Sequence, residues 1–159
     1  KSVACACVIL KIRKKVTDNF WTNINDSRFN IPGIIEFSNL RNFENNIIYI
    51  PFYMPFSNPD YNRSNEEFIQ DSISCIKAIN PNIQEKDIIS SVCNRYKYAQ
   101  PICGINFQTT LPPLNPFPNV WIADTTFYYP EDRGISESIG FGRNLANDIS
   151  DELRGKFND

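Results

Sequence analysis

A carboxylate followed by a run of small residues, near the C-terminal end of the sequence, has the types and spacing to hold an anionic or electron-rich ligand. Asp124 ends a short apolar segment, Val120-Trp121-Ile122-Ala123, which predicts a strand. Gly134, Ser136, Glu137, Ser138, Ile139 and Gly142 open a stretch of helical periodicity. A helix whose first turn is rich in glycine and serine leaves its unpaired N–H groups open to a ligand, and its dipole favours an anion there. Asp124 could then accept hydrogen bonds from hydroxyl groups of the same ligand. The alternative is equally physical: Ser136 caps the helix, the glycines allow close packing, and Asp124 holds its own loop through local backbone hydrogen bonds.

Elsewhere the residues that could do chemistry are few. Histidine is absent, which removes the commonest acid or base near neutral pH and the commonest metal ligand. The cysteines, Cys5, Cys7, Cys75, Cys93 and Cys103, include no Cys-x-x-Cys pair, so no metal site or disulfide framework is indicated. Arg95 and Lys97 are candidates for contact with an anion or substrate, with surface ion pairing as the alternative. Tyr53 and Tyr96 belong to aromatic-rich stretches that could line a cavity or fill a core.

The elements that must position these groups can be read in order. Val3 to Ile12 is apolar on both alternating faces, as an interior strand would be. Ile34 to Leu40 and Ile47 to Met54 predict two strands joined by a polar bridge and paired as an antiparallel hairpin, with Pro51 at an edge, a bulge or an end. Ser64-Asn65-Glu66-Glu67 has the form of a capping box and starts a helix that Asn80-Pro81 stops. Ile88 to Tyr98 predicts a further strand. Several prolines between Gly104 and Pro118 make that stretch an extended linker. A terminal helix follows Gly134, with Gly155 as its C-cap and 156–159 as a frayed tail. The fold class is therefore α+β, with a mixed and largely antiparallel sheet covered by helices.

The segment Val120 to Ile149 resembles the C-terminal flavin-binding segment of the FAD-dependent amine oxidase superfamily. There a strand ends in glycine and aspartate, and a loop leads to a helix reading roughly glycine, glutamate, alanine, any residue, serine, glycine. Asp124 matches the family's aspartate, and Gly134, Glu137, Ser138, Ile139 and Gly142 match the helix start. Ala123 and Phe141 depart from the pattern, standing where a glycine and a serine are usual. The resemblance implies that FAD is the cofactor, contacted by Asp124 through its hydroxyls and by Gly134, Ser136, Glu137 and their neighbours. It implies a substrate-domain-like region over 1–118 and an FAD-contacting strand, loop and helix over 119–155. The Gly-x-Gly-x-x-Gly fingerprint of a dinucleotide-binding half is not in the sequence. The chain would thus be the C-terminal part of an oxidoreductase, partnered by that half of the same protein, which when intact acts on a small-molecule amine, carbon–carbon or carbon–nitrogen substrate; this part alone is expected to bind FAD poorly and to turn over nothing. Lys97 is the catalytic candidate the resemblance offers, by analogy with a lysine that some members place near flavin N5. A non-catalytic binding or interaction domain, or a purely structural α+β domain without flavin, is the competing expectation.

Length and composition fit this frame. A chain of 159 residues suffices for one domain with a real core. A net charge of −2 and a 42% hydrophobic content argue against a nucleic-acid partner. No apolar run reaches membrane-spanning length, the start lacks a signal-peptide layout, and a cytoplasmic setting is the expectation.

Overall fold

The computed structural model describes the backbone of residues 1–158 and the side chains through Arg154. It is an α+β protein with strands β1 (Ser2–Ile12), β2 (Trp21–Asn23), β3 (Gly33–Glu36), β4 (Asn46–Pro55) and β5 (Ile88–Pro101), and helices α1 (Asn65–Ile79) and α2 (Ile135–Asn158). The chain separates into two compact units, Lys1–Ile102 and Cys103–Asp159. The division expected after residue 118 falls inside the second.

In the first unit the strands form one sheet in the order β2-β3-β4-β1-β5. Every neighbouring pair is antiparallel. The alternation of β1 decides which face is core: Ala4, Ala6, Val8, Leu10 and Ile12 are all buried. They pack with Ile48, Ile50, Phe52 and Met54 of β4 and with Phe68, Ile73, Cys75 and Ile76 of α1. Phe68 is the centre of this contact, edge-on to Phe52 at 4.9 Å between ring centroids. Pro51 pairs with Cys7 of β1, whereas β3 reaches β4 only at Ile48 and Tyr49. It therefore sits where β4 has no strand on its outer side, as its missing N–H requires.

Helix α1 begins as its sequence dictates. Ser64 Oγ accepts the Glu67 N–H at 3.2 Å, and the Glu67 carboxylate accepts the Ser64 N–H at 2.8 Å. The helix ends at Ile79, just before Pro81. The loop after β1 is held by Glu36, which is fully buried at the end of β3. Its two carboxylate oxygens accept the Val16 N–H at 2.9 Å and the Thr17 N–H at 2.8 Å. Gly33 is needed beside β2, because a Cβ there would lie 2.8 Å from the Thr22 carbonyl and 3.4 Å from the Trp21 indole nitrogen.

Two expectations in the second unit are corrected. Val120 to Ala123 is not a strand: Asn119 has φ 59°, and the Val120 N–H turns back onto the Phe117 carbonyl at 3.1 Å. The Ile122 N–H bonds the Leu114 carbonyl at 2.8 Å. The prolines at 112, 113, 116 and 118 have no N–H to extend this local pairing into a ladder. Nor does Gly155 cap α2, whose backbone stays helical to Asn158, through most of the tail expected to fray. Asp159 lies outside the described residues.

Candidate functional site

The sheet of the first unit has a second face, on the side away from α1. On β1 it carries Cys5, Cys7 and Ile9, opposite Tyr53, Pro51 and Tyr49 of β4 on one side and Tyr96, Asn94 and Val92 of β5 on the other. At one end of this face a hollow of about 410 Å³ is lined by Cys5, Cys7, Ile35, Tyr49, Pro51, Tyr53, Tyr96, Tyr98 and Ala99. Its wall on the β5 side is made by a bulge. Between the pairs Cys5 with Tyr96 and Val3 with Gln100, the three residues Lys97 to Ala99 stand against the single residue Ala4. Extra residues on one strand bend it and re-aim its side chains, and here Tyr98 stands out from the sheet with 76% of its surface exposed.

The hollow has no formally charged residue in its lining. Burial pushes the Cys5 thiol up to about 11, with a further contribution from Cys7, and burial and then Cys93 raise Cys7. Both remain thiols at neutral pH and present sulfur as an apolar, polarisable floor rather than as a nucleophile. The site can therefore bind through apolar area, ring faces and phenolic hydrogen bonds.

Of the sequence candidates, Tyr53 and Tyr96 come together in this hollow. Arg95 does not: its guanidinium lies 5.4 Å from the Phe68 ring centroid. It donates to the Asn65 side chain at 2.6 Å and to the Arg63 carbonyl, tying β5 to the start of α1. Lys97 sits over the Phe56 ring at 4.1 Å and near the Tyr98 ring at 5.4 Å. These are cation–π contacts within the scaffold.

In the second unit, Asp124, Ser138 and Gly142 line a hollow of about 300 Å³ with Ala123, Thr125, Tyr128, Phe141 and Leu145. Gly134, Ser136, Glu137 and Ile139 are not among its lining residues. Asp124 Oδ1 accepts the Thr126 N–H at 2.8 Å and the Thr126 hydroxyl at 2.6 Å, so the carboxylate holds its own loop. Ser138 Oγ donates to the Gly134 carbonyl at 2.8 Å and shares a hydrogen bond of 2.8 Å with the Tyr128 hydroxyl. The Glu137 carboxylate folds back over Gly134, where a Cβ would collide with it. The helix start is thus occupied by the chain's own acid.

Tyr49, Tyr98, Cys5 and Cys7 were not singled out as site residues by sequence. Their signal was present in the two-residue spacing of Cys5 and Cys7, of Tyr49, Pro51 and Tyr53, and of Tyr96 and Tyr98, which puts each set on one strand face. Among the described residues no group of acidic and cysteine side chains could hold a metal ion. No helix of the described residues is long and apolar enough to cross a membrane. Comparison with protein-family models, with curated proteins and with solved structures finds no match for this chain.

Proposed function

We propose that this chain is a binding domain whose first unit takes a ligand with an apolar body and hydrogen-bonding substituents on the open face of its sheet. The observation that carries this reading is the uncharged hollow in which Tyr49, Tyr53, Tyr96 and Tyr98 surround a floor of Cys5, Cys7 and Pro51. Apolar concavities with a few polar groups are the usual form of small-ligand sites. The phenols supply area at low entropy cost, and their hydroxyls supply direction. The test is titration of the full chain with Nile red, a neutral apolar dye, compared with the Tyr96→Ala and Tyr98→Ala variants. Loss of an aromatic anchor should weaken binding about tenfold. Dye binding indifferent to both substitutions overturns the reading.

A second reading rests on the hollow that gathers Asp124, Ser138 and Gly142. In it the chain is the C-terminal part of an FAD-dependent, amine oxidase-like oxidoreductase, with Asp124 accepting hydrogen bonds from hydroxyls of the cofactor. These residues suit one small portion of FAD, with the cofactor meeting the Asp124 oxygen that does not hold Thr126. FAD would supply hydride acceptance, and this chain would supply orientation. The visible spectrum of the protein purified from its own cells decides it: an oxidised-flavin spectrum with FAD recovered by mass supports the reading. A colourless protein that takes up no added FAD ends it.

A further inference from the structure

The tyrosine hollow, read as a ligand site, also limits what its ligand can be. Its lining has no formally charged residue. The hydrogen-bond donors on its side chains are phenols and thiols, and no carboxylate or side-chain amide stands among them to take a donor from the ligand. A sugar, or a peptide of ordinary composition, brings a donor beside almost every acceptor. A proline-rich peptide does not. Proline has no N–H, and in the polyproline II conformation no carbonyl is used in an internal hydrogen bond. Such segments dock in aromatic-lined grooves because their shape is set before binding, so little entropy is lost.

The chain itself displays such a segment. Leu111-Pro112-Pro113-Leu114-Asn115-Pro116 carries no charge and is half proline. Leu111 has φ −71° and ψ 142°, which are polyproline II values. A following proline disfavours helical backbone at Pro112 and Asn115 too. Three residues make one turn of the polyproline helix, so Pro113 and Pro116 fall on one ridge when the whole segment adopts it. Both are exposed, as is Pro112. On the hollow, Tyr96 and Tyr98 have the most ring surface left to cover, at 57% and 76% exposed.

We propose that the hollow binds a proline-rich segment in the polyproline II conformation, and that this segment is 111–116 of a second copy of the chain. The proposal rests on the reading of the hollow as a ligand site and names its ligand. Proline rings cover Tyr96 and Tyr98, and phenol hydroxyls donate to the carbonyls of the segment.

The full chain is titrated into a fluorescein-labelled peptide of residues 109–118, and into the same peptide with alanine at each proline, with fluorescence anisotropy as the readout. The proline peptide should bind and should displace Nile red from the hollow. The alanine peptide should bind about tenfold more weakly or not at all, and Tyr98→Ala should weaken the proline peptide about tenfold. Sedimentation equilibrium up to hundreds of micromolar tests the second copy. The chain should self-associate, whereas a Pro113→Ala, Pro116→Ala chain should stay monomeric and still bind the free proline peptide, because its own hollow is intact. Dye that binds through Tyr96 and Tyr98 but is not displaced by the peptide overturns this proposal and leaves the hollow a site for small ligands. Dye that ignores both tyrosines removes the site and the proposal with it. Equal binding of the two peptides rejects the polyproline II ligand, and a chain that binds the peptide yet stays monomeric rejects the second copy as its source.

Discussion

Replacing Glu36 tests whether the loop between β1 and β2 is held from inside the sheet. Glu36 is fully buried, and its two oxygens take the Val16 and Thr17 amides at 2.9 and 2.8 Å, with the Thr17 hydroxyl at 3.4 Å. In Glu36→Gln the side chain keeps its length but only one of the two positions can still accept. The other N–H then faces an amide N–H₂, and an unsatisfied buried donor costs roughly 1–3 kcal/mol. The surviving bond also loses its charge assistance, about half its strength. Together the loss is about 3 kcal/mol. Glu36→Leu orphans both amides and should cost more, roughly 4–5 kcal/mol, a large part of a typical total of about 5–15 kcal/mol. Urea unfolding followed by Trp21 fluorescence, in a Trp121→Phe background so that the signal comes from the first unit alone, gives both values. Ile35, next in the chain, lines the tyrosine hollow, so Nile red binding should weaken alongside. A Glu36→Gln cost below about 1 kcal/mol, or a Leu variant more stable than the Gln one, would refute the clamp.

Removing the cap in Ser64→Ala should cost about 1 kcal/mol by urea unfolding, because the Glu67 amide loses its acceptor and Glu67 loses the Ser64 hydroxyl. Phe68→Ala should cost roughly 3–5 kcal/mol, since the ring is fully buried and carries Phe52 at its edge and the Arg63 and Arg95 guanidinia at 5.0 and 5.4 Å. The thiols give a pH dependence. Cys5 and Cys75 ionise near 9.0 when unperturbed, and burial pushes each up to about 11 in the folded chain. The folded state therefore holds these protons more tightly, and the stability they contribute is complete below pH 9 and is lost as pH rises from about 9 to about 11. The urea midpoint should fall across that window, and a Cys5→Ala, Cys75→Ala double variant should fall less. At neutral pH iodoacetamide should label exposed Cys103 before the other four, which are buried or half-buried. Prior labelling of Cys5 or Cys75 in native protein would contradict the burial on which this rests.

What was legible in the sequence was the set of features specified by neighbours along the chain. The Ser64 to Glu67 box, the stop before Pro81, the interior place of β1 and the confinement of Pro51 to an edge, a bulge or an end each follow from a few consecutive residues and a single geometric rule. The short β2 was not legible, because Trp21–Asn23 is a strand only by virtue of pairing with Gly33–Ile35 and of the room that Gly33 leaves for the indole. Val120 to Ala123 was misread for the converse reason. Its apolar run satisfies the strand pattern, but a strand needs a partner with free N–H groups, and the segment before it is rich in proline.

The site followed the same division. Arg95, Lys97 and Tyr96 are close together in sequence and invite one role, yet the strand pleat sends Arg95 to the α1 side and Tyr96 to the open side, and the bulge then separates Lys97 from both. A charge on a strand is assigned by the face it occupies, and that face is fixed by register with β1. Once the register is known, the tyrosines of β4 and β5 and the cysteines of β1 fall on one surface, although no two of these sets are adjacent in sequence. The same reasoning explains why Asp124 is a poor guide by itself. A carboxylate two residues before a threonine can close a turn on that residue's N–H and hydroxyl, and it does so here with both bonds at 2.8 Å or less. Both bonds fall on Oδ1, so a ligand would meet Asp124 through its other carboxylate oxygen. Asp124→Ala tests that role, with Thr126→Val as the control that loosens the same loop and keeps the carboxylate: FAD uptake should fall in the first and persist in the second if Asp124 binds the cofactor. Unchanged or absent uptake leaves the carboxylate as the staple of its own loop.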